Sequence, residues 1–178
     1  MEIFELLVAV LSVNPKGIAS RTAIQKLGYF TSVKLGKNAG YEADLYGPFS
    51  QFVAANLQNL VETDFVAEKG RRTIHDRIMY SYSLTEDGYA LTEKIKEEYP
   101  REYTTVRNIV NKCSRIVHNN FYVLSWAAKV HFILVQSGKP MTYEEAISAG
   151  KSFGWSLGRK EIDSAARLLV ALNLIKKP

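Results

Sequence analysis

The sequence predicts a mainly α fold with a small β component: a winged helix-turn-helix followed by a second, truncated helix-turn-helix-like helical unit. Three observations carry that expectation. From Leu45 to Leu91 the pattern runs turn, amphipathic helix, β-hairpin with a basic tip and a further helix. Two helical patterns precede that stretch, as the first two helices of a three-helix core would. The C-terminal half then repeats the helix and turn of the first half at a shift of 109 residues. Pro100 divides the chain into a winged-helix domain, 1–99, and a helical domain, 100–178.

The first helix is expected over Ile3–Val13, stopped by the breaker Asn14-Pro15-Lys16-Gly17. Its apolar run carries Glu2 and Glu5 and has no basic stretch before it, so it reads as a core helix and not as a signal peptide or membrane span. Ser20 is placed to cap a second helix from Arg21 to about Leu35, with Ile24, Leu27, Tyr29 or Phe30, and Val33 on its apolar stripe. Gly36 to Gly40 ends it, and Tyr41 to Tyr46 reads as a loop or short strand, longer than the tight turn of an ordinary helix-turn-helix.

Gly47-Pro48 supplies a turn, because the residue before a proline is steered away from helical geometry, and Ser50 caps the helix after it. Val53, Leu57, Leu60, Val61 and Phe65 recur at helical steps, so Gln51, Ala55, Gln58, Asn59 and Glu62 point away from the buried side. Two strands are expected next, Phe65–Lys69 and Arg77–Leu84. In the second, Ile78, Tyr80, Tyr82 and Leu84 alternate with Met79, Ser81 and Ser83. The loop Gly70–Asp76 between them holds Arg71 and Arg72, with Lys69 and Arg77 at its base. Thr85 caps a helix over Glu86–Glu98, with Asp87 where a negative charge suits the helix dipole.

After Pro100, Tyr103, Val106, Val110, Cys113 and Val117 mark a helix from Arg101 to His118, whose stripe serves either packing within the monomer or a homodimer seam. Further helices are expected over Phe121–Ser137, Tyr143–Phe153 after a Thr142 cap, and Arg159–Leu172, separated by Gly138-Lys139-Pro140 and Gly154–Gly158. The 109-residue shift places Val53 on Ile162, Leu57 on Ala166, Leu60 on Leu169, Val61 on Val170 and Asp64 on Asn173. It also sets Phe65-Val66 on Leu174-Ile175, which therefore reads as the first strand of a second hairpin, cut short at Pro178.

The net charge of +5 is unevenly spread. Residues 1–98 hold 11 Lys and Arg against 13 Asp and Glu, a net −2, while residues 99–178 hold 12 against 5, a net +7. A basic half of this kind points to a polyanionic partner or to a solvated basic surface. The single cysteine, Cys113, allows no internal disulfide and no thiolate cluster, which fits a reducing, cytoplasmic compartment.

Few residues invite chemistry. His75, His118 and His131 lie far apart, and no His or Cys spacing puts two metal ligands on one helix face. His131, between Val130 and Phe132, reads as a core histidine, and Cys113, on an apolar stripe, as an inert buried thiol. The glycines lack a phosphate-binding arrangement. No enzyme, metal or cofactor is expected.

Nucleic acid has two candidate surfaces. Gln51, Gln58 and Asn59 each offer a donor and an acceptor, the pair an adenine edge requires in the major groove, while Lys69, Arg71, Arg72 and Arg77 can hold phosphates. The helix bearing the amides has no Lys or Arg of its own, and its Glu62 would repel a backbone. In the C-terminal unit, Arg159, Lys160 and Arg167 share the last helix, with Lys151 before it and Lys176-Lys177 after it.

The segment YSYSLTEDGYALTEKI resembles the last wing strand and following helix of many winged-helix transcription regulators. RTAIQKLGYF, followed by DLYGPFS and a helix ending NLVETDFV, is similar to the YwgA-like family, relatives of the antitoxin-type Panacea domains. The resemblance spans about Ser20 to Leu91 and implies a winged-helix fold that binds double-stranded DNA or a protein partner. It leaves two functional expectations: a dimeric winged-helix DNA-binding regulator, or a protein-interaction module of the antitoxin or adaptor kind with Tyr46 and Phe49 exposed. Neither requires a membrane.

Overall fold

A computed structural model describes residues 1–72, 76, 78–117 and 120–176. Among these the chain forms eight helices and one small sheet: α1 (Ile3–Ser12), β1 (Ile18–Ala19), α2 (Arg21–Lys34), α3 (Gln51–Glu62), β2 (Val66–Arg72), β3 (Ile78–Leu84), α4 (Glu86–Glu98), α5 (Pro100–Val117), α6 (Tyr122–Ser137), α7 (Tyr143–Ser152) and α8 (Arg159–Ala171). The sheet is antiparallel in the order β1-β3-β2. Helix, strand, helix, helix and hairpin, with the first strand against the last, is the topology of a winged helix. No described helix is long and apolar enough to cross a membrane.

The expected caps form. Ser50 accepts from the amide of Val53 at 3.0 Å, Thr85 from Gly88 at 3.1 Å and Thr142 from Glu145 at 3.2 Å. Each satisfies an amide that the first helical turn leaves without a partner. Gly138 ends α6 in the left-handed region at φ 66, where a side chain would be strained.

Two expectations need correction, and one strand was not expected. The sequence pattern does not show the two-residue β1, which pairs Ile18 with Tyr82 and Ala19 with Ser81. The hairpin runs further than its hydrophobic pattern, so Arg71 and Arg72 lie in β2, paired with Met79 and Ile78, and not in a loop. Backbone ladder bonds hold a polar strand as well as an apolar one. Leu174-Ile175, expected as a strand, follows the turn after α8 without strand pairing. No second strand among the described residues lies beside it to supply a ladder.

The core centres on α2, whose residues Ala23 to Ser32 are all buried. α1 and α3 cover one part of it, α5 and α6 another. The apolar stripe of α5, with Tyr103, Val106, Val110, Cys113 and Val117 all buried, packs against α1, α2, α4 and α6, so it is occupied inside the chain. α8 packs chiefly on α6, as α3 does on α1.

Candidate nucleic-acid interface

α3 owes its position to two polar residues of α2. The carboxamide of Gln25 pairs with the backbone of Ser50, donating to its carbonyl at 2.9 Å and accepting from its amide at 3.0 Å. Lys26, 2% exposed, donates from Nζ to the carbonyl of Pro48 at 2.7 Å. The Ser50 hydroxyl caps α3 and donates to the carbonyl of Ala39. Tyr41 donates to the carbonyl of Gln25 at 3.0 Å, and a Cβ on Gly28 would stand 2.8 Å from that hydroxyl. The QKLGYF and YGPFS stretches are thus two sides of one joint, which fixes the N-terminus of α3. Periodicity could not show this, because buried polar groups are tolerated only where specific partners satisfy them.

With Val53, Leu57 and Leu60 buried, α3 turns its other side outward, where Gln51, Ala55, Gln58, Asn59 and Glu62 are all exposed. Gln58 donates to Glu62 at 3.0 Å, which draws that carboxylate along the helix surface. Phe52, 56% exposed, belongs to the same outward surface, and nothing in the helical period sets it apart from a core aromatic.

The hairpin packs directly against α3 through β2. Alternation along the ladder puts Val66, Glu68, Gly70 and Arg72 on one face with Leu84, Tyr82, Tyr80 and Ile78. Lys69 and Arg71 lie on the other face, opposite Ser81 and Met79. Near the base, Arg21 donates to the Tyr82 hydroxyl at 2.6 Å and to Glu68 at 2.9 Å, and Tyr82 donates to the same carboxylate. These hydrogen bonds, that of Tyr82 first and Arg21 second, hold the Glu68 carboxyl below its usual range. The Arg21 guanidinium also lies 5.2 Å from the centre of the Tyr80 ring. Arg72 pairs with Asp76 at 3.2 Å. Lys69 and Arg71 are exposed and have no ion pair among the described residues. Arg77 lies outside the described residues, as do His75, His118 and Lys177.

The C-terminal cations divide in the same way. Arg159 pairs with Glu144 and lies 5.4 Å from the centre of the Tyr143 ring. Lys160 and Arg167 are exposed, without an ion pair among the described residues. Lys112 of α5 and Lys34 of α2 donate to the carbonyls of Ala171 and Asn173 at 2.9 and 3.1 Å. They cap the C-terminus of α8, where the helix dipole favours cations. The amides of α3 and the cations of α8 are not brought together: α3 rests on α1, α2 and β2, and α8 on α6 and α5.

His131 and Cys113 are core residues. The Nδ1 of His131 shares a hydrogen bond of 2.8 Å with the Tyr29 hydroxyl, and burial pushes the imidazole down to about 4. Burial pushes the Cys113 thiol up to about 12, far from thiolate chemistry at neutral pH. Tyr46 is 65% exposed beside an exposed Leu45, while Phe49 is only partly exposed. No family model matches the chain, and no curated protein matches it.

Proposed function

We propose that the chain is a winged-helix DNA-binding protein, a transcriptional regulator of the YwgA-like kind, that lays α3 in the major groove and its hairpin on the adjoining backbone. The observation that carries this reading is the uncovered outward surface of α3, with Gln51, Gln58 and Asn59, next to a hairpin whose Lys69 and Arg71 have no ion pair among the described residues. The amides read base edges, and the cations fix register by contacting phosphates. Arg72, already paired with Asp76, contributes less.

The test is fluorescence anisotropy with a pool of random-sequence duplexes, followed by selection of the preferred site. Charge reversal at Lys69 and Arg71 is expected to weaken binding at least tenfold and to lower the slope of log affinity against log salt by about 2, roughly 0.9 for each phosphate no longer neutralised. Gln58→Ala and Asn59→Ala are expected to narrow the gap between preferred and random DNA by about 1–3 kcal/mol each, with little change in the salt slope. Equal affinity for wild type and the double reversal would remove the hairpin from the interface.

The exposed apolar groups Leu45, Tyr46 and Phe52 favour a second reading, a protein-interaction module that uses the same fold without nucleic acid. It predicts no retention of the chain on duplex DNA at moderate salt.

A further inference from the structure

The end of α8 repeats the end of α3 bond for bond. The amides of Thr63, Asp64 and Phe65 donate to the carbonyls of Asn59, Val61 and Leu60 at 2.9, 3.2 and 3.0 Å. Those of Leu172, Asn173 and Leu174 donate to Leu168, Val170 and Leu169, each at 2.9 Å. Asp64 and Asn173 both take the left-handed conformation, at φ 63 and φ 54. The starts correspond too: Ser20 caps α2 and follows β1, while Thr142 caps α7 and follows Pro140-Met141. The second unit therefore has segments at the places of both outer strands, Pro140-Met141 for β1 and Leu174-Ile175 for the start of β2, neither of them paired in a ladder.

In the first unit β3 lies between those two strands, with Tyr82 and Leu84 buried. In the second, the corresponding place is a cavity of about 750 Å³, lined by Met141, Leu174 and Ile175 with Val135, Ile162 and Ala166. Val135 is 60% exposed there. Among the described residues, the backbones of Met141 and Ile175 make no hydrogen bond within the protein, so both edges offer free donors and acceptors. Ala166 stands where the first unit has Leu57, which widens the space. Of the described residues lining the cavity, Lys139 and Lys176 are the cations, and Lys139 is 3.5 Å from Glu145.

We propose that this cavity accepts an extended segment of a partner protein, inserted as the central strand that β3 supplies in the first unit. The segment carries apolar side chains at alternate positions, in the manner of Tyr80, Tyr82 and Leu84, and acidic residues beside them to meet Lys176. This is β-strand addition, in which main-chain bonds to both edges give affinity and the alternate side chains give selectivity. It depends on the repeat and not on DNA binding.

The test uses the full chain and a labelled synthetic peptide copying Ile78–Leu84 with Glu in place of Ser83, the position opposite the counterpart of Lys176, against a scrambled peptide of the same composition. The copy is expected to bind at least tenfold more tightly than the scramble, and Val135→Glu, a change at an exposed helix position, is expected to remove that advantage with the circular dichroism spectrum unchanged. Amide exchange at Met141 and Ile175 is expected to slow when the peptide is added. Equal binding of copy and scramble, undiminished binding by Val135→Glu, or unprotected amides at both edges would each overturn the proposal. The last result would mean that the cavity takes side chains or a small apolar molecule without strand pairing.

Discussion

Lys26 shows how a buried polar residue that positions α3 also makes stability depend on pH. Burial first, and the neighbouring Lys129 second, push its ammonium down to about 8. Below pH 8 the group is charged folded or unfolded, and the folded state carries the full cost of burying it. As pH rises from about 8 towards the ordinary lysine range the folded chain releases a proton that the unfolded chain keeps, so stability increases. The full gain is on the order of 3–4 kcal/mol, from about 1.4 kcal/mol for each tenfold drop in proton affinity. Tyr29 and Tyr41, both raised by burial, oppose it above about pH 10, where unfolded tyrosines ionise and buried ones do not. Urea midpoints are expected to rise between pH 7.5 and 9.5, and Lys26→Met is expected to flatten that rise. His131 acts on the acid side. Its lowered value means stability falls as pH drops from about 6.5 towards 4, because only the unfolded imidazole takes up a proton. Gly88, in the LTEDG stretch, is a purely steric case: an added Cβ would lie 2.2 Å from the Phe65 carbonyl oxygen. Gly88→Ala is expected to cost about 3 kcal/mol in urea unfolding, since backbone and not a flexible side chain must give way.

Among the elements, the matching turns after α3 and α8 make a paired prediction. Asp64 and Asn173 hold a conformation that glycine adopts without steric penalty. Asp64→Gly and Asn173→Gly are each expected to stabilise the chain by about 0.5 kcal/mol, read as a higher melting temperature, and to add when combined because the sites are independent. A loss at either position would mean that its side chain contributes something the repeat does not share. Helices with strong apolar periodicity, α3 and α5 above all, were legible in the sequence, as were the caps at Ser50, Thr85 and Thr142. β1 was not, because two residues carry no alternation. The length of β2 was not, because Arg71 and Arg72 are held by backbone bonds that composition does not record. The outward amides of α3 followed from its period, whereas the Gln25–Ser50 clamp joins residues 25 positions apart and has no local signature.

For the molecule as a whole, α2 unites what the sequence divides at Pro100. Tyr29 meets His131 of α6, and α5 and α6 cover faces of α2 that the first unit leaves bare. The full chain is expected to melt in one transition, with calorimetric and van't Hoff enthalpies in agreement. Residues 1–99 alone are expected to show no cooperative melting, because Tyr29 and Phe30 would lose their cover. A sharp transition in that fragment would make the first unit self-sufficient. The indole of Trp155 donates to the carbonyl of Asp44 at 2.7 Å, gripping the long arm between α2 and α3. The second unit has no such arm among the described residues, since α7 reaches α8 through Phe153–Gly158 alone. The grip is therefore one-sided: the second unit holds an arm of the first and offers none of its own in return.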